Sequence, residues 1–276
     1  MSSDDPTFPW AEAEKDLMAG LDTTVPHSAR IWNYWLGGKD NYPVDREEGS
    51  RYRAVFPGIV DLARAYRAFL ARTVRYLATT GGIRQFLDIG TGLPTADNTH
   101  DIAQRFVPAA RVVYVDNDPL VLVHARALLT STSEGVTDYI DADLREPDKI
   151  LTAAATTLDF SRPVGLILSG SLGHVADHEN PHAIVTRLLD GVSPGSYLVL
   201  QDGTNTDESL NAAQEGYDDT GAVPYLLRTP DEIASFFGGL ELLAPGVVPI
   251  HLWRPELDSQ PPSAEVNTYG GVGQKV

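Results

Sequence analysis

Between residues 83 and 203, short runs rich in Val, Ile and Leu alternate with stretches whose apolar positions recur at helical spacing. The runs are RQFLDIG, RVVYVD, VTDYID, PVGLILS and GSYLVLQD. Near-continuous apolar runs of this length mark strands buried on both faces, which predicts a parallel sheet covered by helices on each side. Helices are predicted over residues 95–107, 119–129, 147–155 and 181–189. Three of them open on proline, which fits the first turn of a helix. A fifth starts at Thr229-Pro230-Asp231-Glu232, where Thr caps and Glu reaches back as in a capping box. The remainder, LELLAPGVVPIHLW and EVNTYGGVGQKV, reads as two last strands closing the sheet in an antiparallel hairpin.

Upstream, Ile59, Leu62, Tyr66, Phe69, Thr73 and Leu77 form one helical stripe, with Arg64, Arg67, Arg72 and Arg75 largely off it as a solvated basic face. Gly81-Gly82 supplies the stop. The chain thus divides into an acidic, loosely ordered arm over residues 1–26 with a short helix near 11–19, a helical cap over 27–82, and a sheet-bearing core over 83–276.

Composition narrows the function. A chain of 276 residues with 42% hydrophobic positions can bury a sizeable core. Its formal net charge of −17 repels phosphate backbones and anionic lipid surfaces, so neither nucleic acid nor membrane is expected as a partner. Residues 27–76 run against that trend, with nine basic side chains against five acidic ones. The absence of cysteine excludes disulfides, thiolate metal sites and Cys nucleophiles. MSSDDPTFPW has neither the basic end nor the apolar stretch of a signal peptide, and the expectation is a cytoplasmic protein.

The chemistry concentrates where the first strand runs through Asp88 into Gly90-Thr91-Gly92. Glycines at the carboxyl edge of a parallel strand let the backbone approach a ligand closely. The second strand ends on Asp116, placed to accept hydrogen bonds from both ribose hydroxyls of a nucleoside. A nicotinamide dinucleotide and S-adenosylmethionine both fit that outline. Thr95 stands where GxGxxG requires its third glycine, which counts against a pyrophosphate cradle and for the methyl donor.

At DIGTGLP, YVDNDP and IDADLREP the sequence resembles class I S-adenosylmethionine-dependent methyltransferases. More closely, from PHSARIWNYWLGGKDNYPVDRE to the final YGGVGQK, it is similar to a substrate-unassigned S-adenosyl methyltransferase family once catalogued as a domain of unknown function. The resemblance implies a Rossmann-like α/β sheet of seven strands, six parallel and one antiparallel, behind a helical lid; the enclosed, aromatic lid favours a small-molecule methyl acceptor over a polymer. The resemblance also implies that Asp88, Gly90 and Gly92 line the methionine half of the cofactor and Asp116 the ribose. Asp143 would accept from the adenine amino group, Leu144 would offer a backbone N–H, and Ser169 would pass under the sulfonium. Asn117 and Asp118 are further candidates beside the nucleoside, or else residues of a local turn.

His174, on the loop after the fourth strand, is the candidate general base, the other reading being a hydrogen-bonded loop histidine. His174, His178 and His182 mimic metal spacing, but Pro181 breaks the helix such a site needs, and no metal is expected. His100 is read as a packing residue. The aromatic segment over residues 31–42 reads as a lid, as a docking helix, or as both, with Arg30 or Lys39 meeting the cofactor carboxylate. The rival functions are a noncatalytic nucleoside-binding protein and a nicotinamide-dependent oxidoreductase.

Overall fold

The computed structural model describes residues 21–95, 97–128, 131–255 and 266–276. The acidic arm up to residue 20 and its expected helix lie outside the described residues. Three helices come first: α1 (Ser28–Trp35), α2 (Pro43–Val55) and α3 (Ile59–Thr79). There follow β1 (Gln85–Ile89), α4 (Thr99–Phe106), β2 (Arg111–Asp116), α5 (Pro119–Leu128), β3 (Val136–Asp141), α6 (Pro147–Ala154) and β4 (Gly165–Ser169). The chain continues through α7 (Pro181–Asp190), β5 (Tyr197–Gly203), α8 (Glu208–Asp218), α9 (Pro230–Ser235), β6 (Glu241–Leu242), β7 (Val248–Pro249) and β8 (Thr268–Gln274).

The sheet runs β3-β2-β1-β4-β5-β8-β6, with β7 also on β8. From β3 to β5 all pairings are parallel, whereas β8 is antiparallel to β5, β6 and β7. Alternate residues of the central strands enter two cores. Phe86, Val112, Tyr114 and Ile167 face α3, α4 and α8, while Leu87, Ile89, Val113 and Leu168 face α6, α7 and α9. Double-sided burial explains the continuous apolar runs, each large side chain contributing about 1.5–3 kcal/mol.

Every residue of the α3 stripe is buried. The helix ends as the glycine pair dictates: Gly82 has φ +71° and the Ile83 N–H reaches back to the Leu77 carbonyl at 2.9 Å. The solvated basic face is only partly present. Arg72 donates to the carbonyls of Trp253 and Ile250 at 3.0 and 2.6 Å, fastening α3 over a fully buried Trp253.

Two expectations need correction. The helix expected over 95–107 begins at Thr99, because the Thr95 N–H turns to Asn98 Oδ1 and Asp101 caps the Asn98 N–H, both at 3.0 Å. The strand expected before β8 is divided into β6 and β7 by a turn in which the Gly246 N–H meets the Leu243 carbonyl. The expected antiparallel closure is present: β7 and β8 follow one another along the chain and pair antiparallel, with β6 on the same edge and β5 on the other side of β8. A methyl at Gly270 would come within 2.7 Å of Gln201 Cβ, and one at Gly273 within 3.0 Å of Leu240 Cβ. Among the described residues, no helix is long and apolar enough to cross a membrane.

Candidate active site

A cavity of about 330 Å³ opens at the carboxyl edge of β1, β2 and β4, roofed by α1 and walled by α3. Its floor is the glycine turn. Gly90 and Gly92 have φ of +75° and +66°, angles that a side chain opposes. The Gly90 N–H is held by the Val115 carbonyl at 2.8 Å, and a methyl there would strike Ser171 Cβ at 2.5 Å. Around Gly92, by contrast, a methyl would meet nothing within 4 Å. The turn is therefore closed towards the protein at one glycine and open at the other.

Asp116 is 8% exposed and closes the same turn, its Oδ2 accepting from the Gly92 N–H at 2.9 Å and its Oδ1 from the Asp118 N–H at 3.0 Å. A carboxylate offers about four acceptor sites, so one remains on each oxygen, the number a ribose diol requires. Burial raises its pKa, against the two backbone N–H groups that lower it. Asp88 stands behind the turn, 4% exposed, accepting from Thr99 Oγ1 at 2.6 Å. Burial pushes its pKa up to about 6, with Thr99 and Arg67 pulling it down.

Asn117 and Asp118 part company. Asn117 lines the cavity and donates to Asp143 Oδ2 at 3.0 Å. Asp118 caps α5 by accepting from the Leu120 N–H at 2.9 Å, and its other oxygen lies 3.1 Å from His27 Nδ1 and 3.4 Å from Arg30 Nε. Arg30 consequently does not line the cavity. It is 4% exposed, with Nη1 3.9 Å from the fully buried Asp45 and hydrogen-bonded to the Asp22 carbonyl. Two buried carboxylates draw the guanidinium into the joint between cap and sheet, since an unpaired buried charge is strongly destabilising. Lys39 is exposed.

Two arginines do line the cavity, Arg145 and Arg67, the latter assigned to solvent by the helical pattern. Arg67 donates to the Asp97 carbonyl at 2.8 Å, and its charge acts on Asp88. On the opposite wall, Asp143 accepts from the Arg145 N–H, from Arg145 Nη1 on both oxygens and from Asn117. Arg145 also pairs with Glu179 at 2.6 Å. Leu144 and Ser169 line the cavity as well, and the Ser169 hydroxyl accepts from Gln201 Nε2. Ser171 Oγ is buried there without a hydrogen-bond partner.

His174 follows β4 on a short helical turn (Leu172–His174) and lines the cavity. Its Nδ1 lies 2.9 Å from the Pro224 carbonyl. A carbonyl only accepts, so Nδ1 carries the hydrogen and Nε2 the lone pair. Burial holds the imidazole below its ordinary pKa, favouring this neutral form. The ring packs edge-on against Tyr225, with centroids 5.0 Å apart. His182 is elsewhere, bonded to Ser235 and stacked on Phe236. His100 is buried and bonded to the Tyr114 hydroxyl.

The strand order, the antiparallel β8 and a cavity over the first glycine turn define a Rossmann-like class I methyltransferase fold. Residues 14–276 match the model of the S-adenosyl methyltransferase family, and the chain belongs to that family. A structure of a DUF574 family protein from Streptomyces avermitilis is 42% identical, with a TM-score of 0.88 over 92% of this chain and 99% of that one. A protein from Thermobifida fusca, described as a candidate methyltransferase, is 38% identical, with a TM-score of 0.85 over 93% and 97%. An O-methyltransferase family protein from Burkholderia thailandensis shares the fold at 13% identity and a TM-score of 0.51, over 96% of this chain and 69% of that one. No significant match occurs among curated proteins. The chain is an S-adenosylmethionine-dependent methyltransferase.

Proposed function

We propose that the acceptor is a small molecule bearing a hydroxyl group and that His174 takes its proton. The observation that carries this reading is the fixed tautomer of His174, whose Nδ1 is committed to Pro224 while the ring faces the cavity. The donor's needs are met by the residues present. Gly92 leaves space against bare backbone, Asp116 has two acceptor sites to spare, and Ser171 brings an unpartnered hydroxyl.

In this assignment Asp116 holds the ribose, and the turn through Gly90 and Gly92 lies along the methionine backbone. Arg67 meets the carboxylate in place of Arg30, and Asp88 faces the ammonium. The Leu144 N–H and Asn117 address the adenine. Asp143 is a positioning residue that fixes Asn117 and Arg145, and Ser169 leaves room beneath the reacting centre. When bound, S-adenosylmethionine supplies an electrophilic methyl: its bond to sulfur breaks as the bond to the acceptor oxygen forms, and the sulfonium becomes a thioether. The acceptor's proton passes to Nε2, leaving His174 as an imidazolium.

Substitution of the base tests the assignment. His174→Ala should bind S-adenosylmethionine within about twofold of wild type by calorimetry, yet transfer labelled methyl to acceptors in a metabolite extract about 10²–10⁴-fold more slowly. Equal transfer rates would remove His174 from the chemistry.

A further inference from the structure

The turn that carries His174 is held from outside itself. Each main-chain carbonyl from Leu172 to Val175 accepts a hydrogen bond from a residue beyond it. Arg228, 4% exposed, donates to Leu172 at 2.9 Å and to Val175 at 2.7 Å, one carbonyl on either side of the histidine. The Leu226 N–H donates to the Gly173 carbonyl at 2.7 Å, and Arg145 donates to that of His174. With Pro224 on the imidazole itself, residues 223–228 form a strap across the turn.

Within the strap, Pro224 bears on the chemistry, because the hydrogen bond made at Nδ1 sets which ring nitrogen keeps its lone pair. The carbonyls of Pro224 and Val223 also favour the charged ring against the burial that disfavours it. Proline has no N–H with which to anchor itself, so its place depends on its neighbours. Tyr225 is fixed at three points. Its N–H donates to Asp218 Oδ1 at 3.2 Å, its ring covers Gly173, and its hydroxyl donates to Asp202 Oδ1 while accepting from the Gly203 N–H at 3.3 Å. The same ring meets the imidazole edge-on, yet Tyr225 does not itself line the cofactor cavity.

Main-chain bonds fix the backbone of the turn but not the rotation of the imidazole, which is left to Pro224 and to the Tyr225 ring. We infer that Tyr225 is a positioning residue for methyl transfer: pinned to Asp202, it holds the Pro224 carbonyl on His174 Nδ1 and so keeps Nε2 free for the acceptor's proton. This rests on the reading of His174 as the base, and it adds the groups that keep that base in register.

Ring-nitrogen NMR on isotopically labelled histidine reads the tautomer directly, the His174 signals being those lost in His174→Ala. In the wild type the hydrogen should sit on Nδ1. Tyr225→Phe keeps the ring and removes the hydroxyl. It should release an Nε2–H population and slow the transfer of labelled methyl to a metabolite extract by about tenfold to 10²-fold, the range that a misplacement of about 1 Å can cost. S-Adenosylmethionine affinity by calorimetry should stay within about twofold. Gly173→Ala reaches the same contact from the other side: Gly173 lies outside the left-handed region and away from the cavity, and its new methyl would push the Tyr225 ring aside. The same tautomer shift and the same split between rate and cofactor affinity should follow. Asp202→Asn, which retains an acceptor for the Tyr225 hydroxyl, should keep the wild-type tautomer. A purely structural role would lower stability without moving hydrogen from one ring nitrogen to the other. An unchanged tautomer in Tyr225→Phe overturns the inference, and if that variant does not fold, an unchanged tautomer in Gly173→Ala does so. A shifted tautomer with an undiminished transfer rate upholds the strap and overturns the reading of His174 as the base.

Discussion

Arg145 engages both carboxylate oxygens of Asp143 through one guanidinium nitrogen, at 3.1 and 3.2 Å. With the Arg145 N–H and Asn117 added, the acceptor sites of Asp143 are filled by the protein itself. Asp116 differs, because backbone N–H groups take only half of its sites. Asp116→Ala should therefore weaken S-adenosylmethionine binding by about 1–3 kcal/mol through lost charge-assisted hydrogen bonds. Asp143→Ala should cost less than about 1 kcal/mol, the scale of a partly exposed ion pair. Calorimetry on the two variants checks the order, and a larger loss at Asp143 would return the adenine contact to it.

The two glycines of the turn should fail in different ways. Gly90→Ala drives a methyl into Ser171, and unfolding by urea should show a loss of at least about 1–3 kcal/mol. Gly92→Ala meets no protein atom, so its folding cost should stay near the 1–2 kcal/mol of a left-handed residue. Its new methyl would stand where the ligand lies, and affinity for S-adenosylmethionine should drop more than tenfold. A Gly92→Ala protein with undiminished affinity would move the ligand off the turn.

Removing Arg30 leaves two buried carboxylates without their counter-charge. Arg30→Ala should lower the unfolding free energy by about 3–5 kcal/mol. In the double variant Arg30→Met with Asp118→Asn, part of that loss should return, because Asn keeps the cap on the Leu120 N–H. If Arg30→Ala matched the wild type in stability, the buried joint would have no weight in holding the cap.

Asp202, buried under Tyr225, gives a pH signature. The Tyr225 hydroxyl donates to its Oδ1, Oδ2 is unpartnered, and burial pushes its pKa up to about 7 from 3.8. The folded protein keeps this proton while the unfolded chain releases it. The stabilisation is thus fully present below pH 3.8 and lost as pH rises to about 7. Asp202→Asn retains an acceptor for Tyr225 and does not ionise. Its stability relative to wild type should climb between pH 4 and about 7 and level off above. Urea unfolding at a series of pH values measures this, and a constant difference would show that Asp202 does not titrate in that window.

Much of the fold was legible because its signals are local. The strands β1, β2, β4 and β5 announce themselves through burial on both faces, and α5, α6, α7 and α9 through proline at their first turn. The helix α8 was missed although Leu210, Ala213 and Tyr217 recur at helical spacing behind the Asp207 cap, because polar residues crowd the segment between them. The Gly90, Gly92 and Asp116 constellation was readable from strand ends alone. The role of Arg30 was not, since its partner Asp118 is 88 residues away and nothing local marks the ion pair. Arg67 misled for a related reason: helical periodicity tells which face meets the core, not which part of the other face a roof will cover. The hold of Pro224 on His174 spans 50 residues, and no local window of sequence contains it.

The YGGVGQ stretch of β8 carries almost no reactive side chains, yet Gly270 is pressed against Gln201 so closely that even alanine would collide, and at Gly273 alanine would force Leu240 or Phe237 to give way. Evolutionary drift should accordingly be slow there for want of room rather than for want of chemistry. Among diverging homologues, these two positions should outlast many charged surface residues.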